Sequence, residues 1–381
     1  MVLFGFTFFS ATMIAGGQVG SALGFSSRLL LALLAGNLIL ASYASALGVV
    51  AYRTGLSTVL MARFCFGREG SRLADLLLGL TQVGWYAWGT DTVARILIQT
   101  LGWPDSWDPV LVVACGIGFC LTAAVGYKGL EILSAVMVPL MTGMIFWSGY
   151  LAWQAASSAS TVESSEMGLA QAVTVVVGTF ISGATQSTNW TRYSRSASAA
   201  IGVTFLAFFV GNGMMVGYGA LAGSVYANAD VVAVLLLQGF FWSAVFMLLA
   251  NIWTTQDNTI YNFSLAGCHF FRTSNRRTVT LVGALVGTGL ALLGFADLLV
   301  PFLLTLGTAI PPLGGVVLAD FFVCRQGRFG DLDSAVAWRP LGLVAYAGGV
   351  AAAWLLPGIP PVTGVAVAFL LQAGLGRTSK R

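Results

Sequence analysis

Apolar stretches of about 20 residues alternate along this chain with short connections rich in arginine, glycine, proline, asparagine or aspartate. Cutting at those connections predicts twelve membrane-spanning helices, centred near Thr12, Ile39, Trp88, Gly118, Met144, Val176, Val210, Leu249, Gly287, Pro311, Gly348 and Val367. No connection is long enough for a separate soluble domain, and none is of low complexity. The pattern therefore predicts one all-α polytopic membrane bundle.

The places where this pattern is interrupted carry the chemistry. Asn251, Thr254, Thr255, Gln256, Asp257 and Asn258 fall inside the otherwise apolar run from Val231 to Leu265. A polar run costs free energy in lipid, so it is expected to face a binding site. Thr81, Gln82 and Trp85 lie within about one helical turn of the third span, where Gln82 and Trp85 share a face at i, i+3. Pro311-Pro312-Leu313-Gly314-Gly315 must break or bend the tenth span. Thr7-Phe8-Phe9-Ser10 in the first span recurs as Thr179-Phe180-Ile181-Ser182 in the sixth. An odd number of spans per unit makes the second copy inverted, and the glycines at 5, 16, 17, 178 and 183 allow unwinding. Inverted repeats whose first helices break at mid-membrane are one architecture of secondary transporters.

Composition excludes a soluble domain: 57% hydrophobic residues, 8% charged and a mean hydropathy of +0.86 over 381 residues. The net charge of +4 does not indicate a nucleic-acid partner, because the basic residues are scattered singly. Arg53, Arg63, Arg68 and Arg72, then Lys128, Arg192, Arg195, Arg272, Arg276, Arg277, Arg325, Arg328, Arg339, Arg377, Lys380 and Arg381, all fall in alternate connections on one side. The other side carries Asp105, Asp108, Glu163, Glu166 and Asp230, with Arg28 as the exception. The excess of arginine predicts that both termini are cytoplasmic. The first span lacks the basic start and cleavage site of a signal peptide. Cys65, Cys268 and Cys324 lie near the cytoplasmic face and Cys115 and Cys120 inside the fourth span, so no disulfide is expected. His269 is the single histidine, and no HExxH, GxSxG or Cys–His cluster is present, which argues against an enzyme.

Gly5-Phe6-Thr7-Phe8-Phe9-Ser10-Ala11, Thr81-Gln82-Val83-Gly84-Trp85, Gly178-Thr179-Phe180-Ile181-Ser182, Asn251-Ile252-Trp253-Thr254-Thr255 and Ala309-Ile310-Pro311-Pro312 resemble, in order, the cytosine permease branch of the nucleobase–cation symporter-1 family. The resemblance runs from Met1 to about Leu375. It implies a leucine-transporter-type fold: a transport core over 1–322 made of two inverted five-helix repeats (about 1–157 and 165–322), with two additional helices at 338–377. It further implies a monomer in an inner or plasma membrane that imports cytosine with sodium by alternating access, and that needs no cofactor besides that coupling ion. In the family pattern Gln82, Ser182 and Asn251 hydrogen-bond the base, and Phe9, Trp85 and Phe180 stack on its ring or close over it. Thr179, also counted among the base-binding residues, stands where the family usually has serine. Sodium would be held by the carbonyls of Gly5 and Phe8, freed where the first span unwinds, and by Asn251, Thr254 and Thr255.

The residue chemistry suits that assignment. A pyrimidine has an apolar face for aromatic rings and a donor–acceptor edge for amides and hydroxyls. Asn251, Thr254 and Thr255, at i, i+3 and i+4, place their side-chain oxygens on one stripe of the eighth span. Uncharged oxygens fit an alkali cation, and no carboxylate lies in the first or sixth span to carry a proton. Competing readings remain at this point: amides that bridge helices, threonines that bond back to their own helix, a related pyrimidine or purine as substrate, proton coupling, or a channel or sensor. Asp257 reads as a structural acid. Asp91 and Arg95 form an i, i+4 pair expected to neutralise itself and snorkel outward. Because Met1 stands only four residues before Gly5, the natural protein is expected to start about twenty residues upstream, where a first half-helix would lie.

Overall fold

The computed structural model describes residues 2–125, 127–156, 167–226, 228, 231–332 and 335–378. Met1, Glu163, Glu166, Asp230, Lys380 and Arg381, which entered the arguments about charge and chain start, lie outside them. From the amino end, α1 (Val2–Phe6) and α2 (Ser10–Leu23) are two halves of one broken helix, followed by α3 (Ser27–Thr54) and the short α4 (Thr58–Phe66). Next come α5 (Arg72–Leu101), α6 (Asp108–Gly118) with α7 (Cys120–Val125), and α8 (Tyr127–Ala156). A second broken helix comprises α9 (Leu169–Gly178), α10 (Ile181–Gln186) and α11 (Thr188–Thr191). Helix α12 (Ala197–Phe205) passes through a π-helical stretch, Leu206–Gly211, into α13 (Asn212–Tyr226). The rest is α14 (Val231–Leu237), α15 (Phe241–Phe271), α16 (Arg276–Ala291), α17 (Leu299–Ala309), α18 (Pro311–Ala319), α19 (Pro340–Leu355) and α20 (Pro360–Thr378).

All twelve predicted span centres fall in helical segments, and no strand occurs among the described residues. Ser27–Thr54, Ser134–Ala155, Ala197–Tyr226 and Phe295–Cys324 are long and apolar enough to cross a membrane. Leu169–Gly178 with Ile181–Thr191 forms a further span bent by 46°. At 30 and 31 residues α5 and α15 are also long enough, but their polar side chains keep them below the same apolarity. Those polar side chains are buried inside the bundle.

The breaks fall where the sequence placed them. Thr7, Phe8 and Phe9 are non-helical between α1 and α2, and Thr179 and Phe180 separate α9 from α10. The proline pair starts α18 at Pro311, with only Ile310 between it and the end of α17, and the Tyr346 hydroxyl donates to the Ala309 carbonyl at the bend (3.0 Å).

Helix α2 meets α13 almost backbone to backbone. A Cβ on Gly16 or Gly20 would lie 2.2 Å from the carbonyl oxygen of Val216 or Ala220, and one on Gly219 would lie 1.9 Å from that of Met13. In lipid no hydrophobic drive pulls helices together, so such close small-residue packing supplies the attraction.

Helices α5 and α15 run antiparallel, and three contacts fix their register. Asp75 bonds His269 (2.6 Å), Gly79 packs on Phe263 and Ala266, and Gly89 packs on Gln256, whose Nε2 donates to the Tyr86 carbonyl (2.7 Å). At the arginine-rich end, Arg63 of α4 donates to the other His269 nitrogen (2.5 Å), while Arg272 pairs with Glu69 and holds its carboxyl below the usual carboxylate range. Arg325 and Arg339 converge on the buried Asp320 and on the Phe64 carbonyl, which fastens the last helices to α4.

The Asp91–Arg95 pair forms, but it does not snorkel as a unit. Asp91 is only 1% exposed and accepts from Arg95 (2.6 Å) and from the Ala296 backbone N–H (2.8 Å), and Arg95 reaches on to Asp297 (2.9 Å). A second partner, the loop before α17, holds the acid inside. Asp91→Ala is therefore expected to destabilise the fold by about 1–3 kcal/mol, and Asp297→Ala, at an exposed partner, by less than about 1 kcal/mol. Thermal unfolding in detergent measures both, and equal shifts would contradict this arrangement.

Candidate functional site

Where the two broken helices face α5, their non-helical residues put aromatic rings against one another. Phe9 is packed edge-on against Trp85 (5.3 Å between centroids) and Trp88 (5.4 Å), with Phe180 at 6.3 Å. Phe302 of α17 covers the far side of Trp85 at 5.0 Å, and Phe6 packs on Phe180 at 5.1 Å. The Trp85 indole N–H donates to Ser182 Oγ (3.2 Å), joining α5 to α10. Between these rings lies a space of only about 10 Å³, room for about one water, bounded also by Thr179, Thr255 and Thr259. It is smaller than the ~300–1,000 Å³ usual for a ligand site, so the box stands contracted around Phe9.

Gln82 lies one turn from Trp85 toward the arginine-rich end. It is fully buried, and neither its Oε1 nor its Nε2 has a hydrogen-bond partner among the described residues. Asn251 is 1% exposed and its side-chain amide is likewise unpaired. These two amides, expected to hold one base together, are not brought together. In the α5–α15 register Gln82 sits opposite residue 262, which puts Asn251 roughly 15 Å away along the helix axis at the usual rise. The spacing of residues within each helix was read correctly; the level at which two distant helices meet was not available from it.

Asn251 does meet Thr254 and Thr255, but through its backbone. Thr254 Oγ1 donates to the Asn251 carbonyl (3.0 Å). Thr255 Oγ1 lies 3.0 Å from the Phe8 carbonyl and 3.2 Å from the Asn251 carbonyl. One hydroxyl proton serves only one acceptor at a time, so Thr255 can serve the Phe8 carbonyl while Thr254 serves that of Asn251, and the four oxygens form one cluster. In this cluster Asn251 takes part through its carbonyl oxygen, and its side chain does not touch Thr254 or Thr255. Gly5 belongs to the same break: its carbonyl accepts from the Phe8 N–H (3.1 Å), and a Cβ on it would lie 2.9 Å from Ser134 Oγ of α8. Among the described residues no group of three His, Cys, Asp or Glu side chains could hold a metal ion.

The Thr179 hydroxyl donates to the Val176 carbonyl (2.6 Å) and accepts from Asn212 (3.2 Å), whose amide also donates to Asn37 (2.8 Å). It is thus already engaged by α13 and α3. Trp88, Asn212, Asn37 and the bond from Asn189 to Asn262 (2.8 Å) were not singled out by sequence. Trp88 could have been found, since it continues the Trp85 face at i+3; the others lie on helices far apart in the chain. Asp257 is fully buried and accepts from Asn258 (3.1 Å).

Residues 1–371 match the family described as permease for cytosine/purines, uracil, thiamine, allantoin. The chain is 36% identical to the cytosine permease of Escherichia coli (strain K12) over 375 residues, covering 96% of this chain and 87% of that one. It is 26% identical to the hydantoin permease of Microbacterium maritypicum over 365 residues, covering 84% and 73%. Among solved structures, the nucleobase-cation-symport-1 family transporter Mhp1, closed with bromovinylhydantoin bound, superimposes with a TM-score of 0.85 at 22% identity, covering 99% of this chain and 91% of that one. A Na+-coupled sialic acid symporter shares the fold with a TM-score of 0.71 at 12% identity, covering 99% and 88%. With an all-helical transporter fold and permeases as its relatives, the chain is a multi-pass membrane protein and belongs to the family of permeases for cytosine/purines, uracil, thiamine and allantoin.

Proposed function

We propose that this permease is a sodium-coupled symporter that imports cytosine by alternating access. The observation that carries the reading is the aromatic box with a hydrogen-bonding edge, Phe9, Trp85 and Phe180 beside Ser182 and the unpaired Gln82, set against the oxygen cluster at Thr255. The relative at 36% identity bears the name cytosine permease, and a neighbour in fold is named Na+-coupled, which supports both halves. In this reading Phe9 swings out of the contracted box, the base lies between Trp85 and Phe180, and Gln82 and Ser182 pair its edge. Asn251 leaves the base site. Sodium, held by the carbonyls of Gly5, Phe8 and Asn251 and the hydroxyls of Thr254 and Thr255, takes the place of the bond from Thr255 to Phe8. It thereby braces the first break against α15, pre-forming the box and tightening base binding.

The same reading takes the paired segments as single crossings, twelve in all, with a 5+5 inverted repeat over 1–322 and two further helices at 338–377. Reciprocal packing supports the repeat: α2 of the first broken helix lies on α13, and α9 and α10 of the second lie on α3. The clustering of Arg63, Arg272, Arg325 and Arg339 at one end supports cytoplasmic termini. The working unit is taken to be a monomer.

Equilibrium binding of cytosine and uracil to the purified protein, in sodium and in choline, tests the proposal. Cytosine in sodium is expected to bind at least tenfold more tightly than uracil, since each mismatched edge group costs about 1–3 kcal/mol. Replacement by choline is expected to weaken cytosine binding. Equal affinity for the two bases, or indifference to sodium, would sink it.

A further inference from the structure

Below the aromatic box, three helices carry polar side chains in step toward the arginine-rich end. On α15 these are Thr255, Thr259 and Asn262, and on α10 and α11 they are Ser182, Gln186 and Asn189, each set at i, i+4 and i+7 and so on one face. On α5, Gln82 follows Trp85. All are buried, Asn262 fully. The box is the top rung, closed by Trp85 and Ser182. Gln186 reaches the Leu78 carbonyl (3.4 Å), and Asn189 donates to Asn262 (2.8 Å) one rung lower. One heptad further lie His269 on α15 and Asp75 on α5, joined to each other and to Arg63.

Amides that merely glue helices together end with their polar atoms paired. This set does not. Asn262 Nδ2 and both amide atoms of Gln82 are buried without a partner. Unpaired groups of this kind are rare in native proteins and call for a specific cause. Resting on the nucleobase reading, we propose that Asn189 and Asn262, with Gln186, form a second base-binding station, which the base occupies after leaving the box. Asn262 lies three residues beyond Thr259, the lowest box residue on α15, roughly 4.5 Å at helical rise, so the station adjoins the box on its arginine-rich side. The Asn189–Asn262 bond joins one amide N–H to one amide oxygen, and the amide or amidine edge of a pyrimidine offers the same pair. A base can therefore replace either partner in kind, and Asn262 Nδ2 gains an acceptor. In this conformation the two asparagines hold the station shut on themselves, and the step to the arginine-rich face is an exchange of like bonds.

Equilibrium binding of radiolabelled cytosine in sodium, carried to high concentration, tests this. The wild-type protein is expected to show a tight phase and a second phase at least tenfold weaker, with stoichiometry approaching two. Asn262→Val and Asn189→Val are expected to lose the weak phase and keep the tight one, which certifies their folding. In proteoliposomes both variants are expected to lower kcat for uptake about tenfold with little change in KM. A single phase in the wild type, or wild-type uptake by both variants, overturns the station. Absence of the tight phase from the wild type would instead overturn cytosine as the substrate, and the station with it.

Discussion

Thr255→Val is expected to raise the sodium concentration for half-maximal cytosine uptake by roughly 10- to 100-fold, the equivalent of about 1.4–2.8 kcal/mol. The substitution keeps the branched shape and removes the one oxygen that touches both the Phe8 and Asn251 carbonyls. Thr254→Val is expected to have a smaller effect, because that hydroxyl meets the Asn251 carbonyl and not the break in the first helix. Asn251→Ala is expected to leave the sodium dependence near wild type, since the oxygen it contributes is on the backbone. Uptake into proteoliposomes, with choline holding ionic strength constant, gives all three curves. An unchanged curve for Thr255→Val would remove the cation from this cluster, and a large shift for Asn251→Ala would return the side chain to it.

The second large effect concerns folding. Gly219→Val is expected to leave little correctly folded protein, because its Cβ would overlap the Met13 carbonyl at 1.9 Å, a distance no real Cβ contact shows. Backbone against backbone cannot yield by a rotamer change, so α2 and α13 would have to separate along their whole contact, losing the packing that holds membrane helices together. Gly217→Val, two residues away where a Cβ meets nothing within 4 Å, is the control and is expected to behave like wild type. The yield of monodisperse protein in detergent and its thermal midpoint decide the matter. Equal behaviour of the two variants would mean that the helices do not pack this closely.

The parts of the fold that depend on one helix at a time were legible in the chain. Apolar runs placed the spans, glycine with Thr-Phe motifs placed both breaks, and Pro311 placed the bend. Phe9, Trp85, Phe180 and Ser182 came together because each sits beside a break or on one face of α5. What was not legible depends on two helices at once. Gln82 and Asn251 each have the right chemistry for a base, yet their levels differ because Gly79 and Gly89 set where α5 lies against Phe263 and Gln256. Spacing also identifies a residue and not which of its atoms is used, so nothing in the chain marked that Asn251 meets Thr254 and Thr255 through its carbonyl. The asparagine pairs 37 with 212 and 189 with 262 join positions far apart in sequence, which no local pattern marks.

The π-helical stretch at Leu206–Gly211 acts as a phase shifter. An ordinary helix presents one stripe along its length, but the wide turn shifts the phase of that stripe in the sequence by one residue, with α12 on α3 before it and α13 on α2 after it. Because the wide turn houses one residue more than an α turn, a one-residue deletion within 206–211 would be absorbed by closing it to ordinary α-helix, with Asn212 still aimed at Asn37 and Thr179. The same deletion in the regular helix between 212 and 219 would turn the glycine face at 219 and 223 away from α2 by about 100°. Register in this bundle is therefore stored partly as an angle, and the wide turn is the place where a lost residue costs length and not direction.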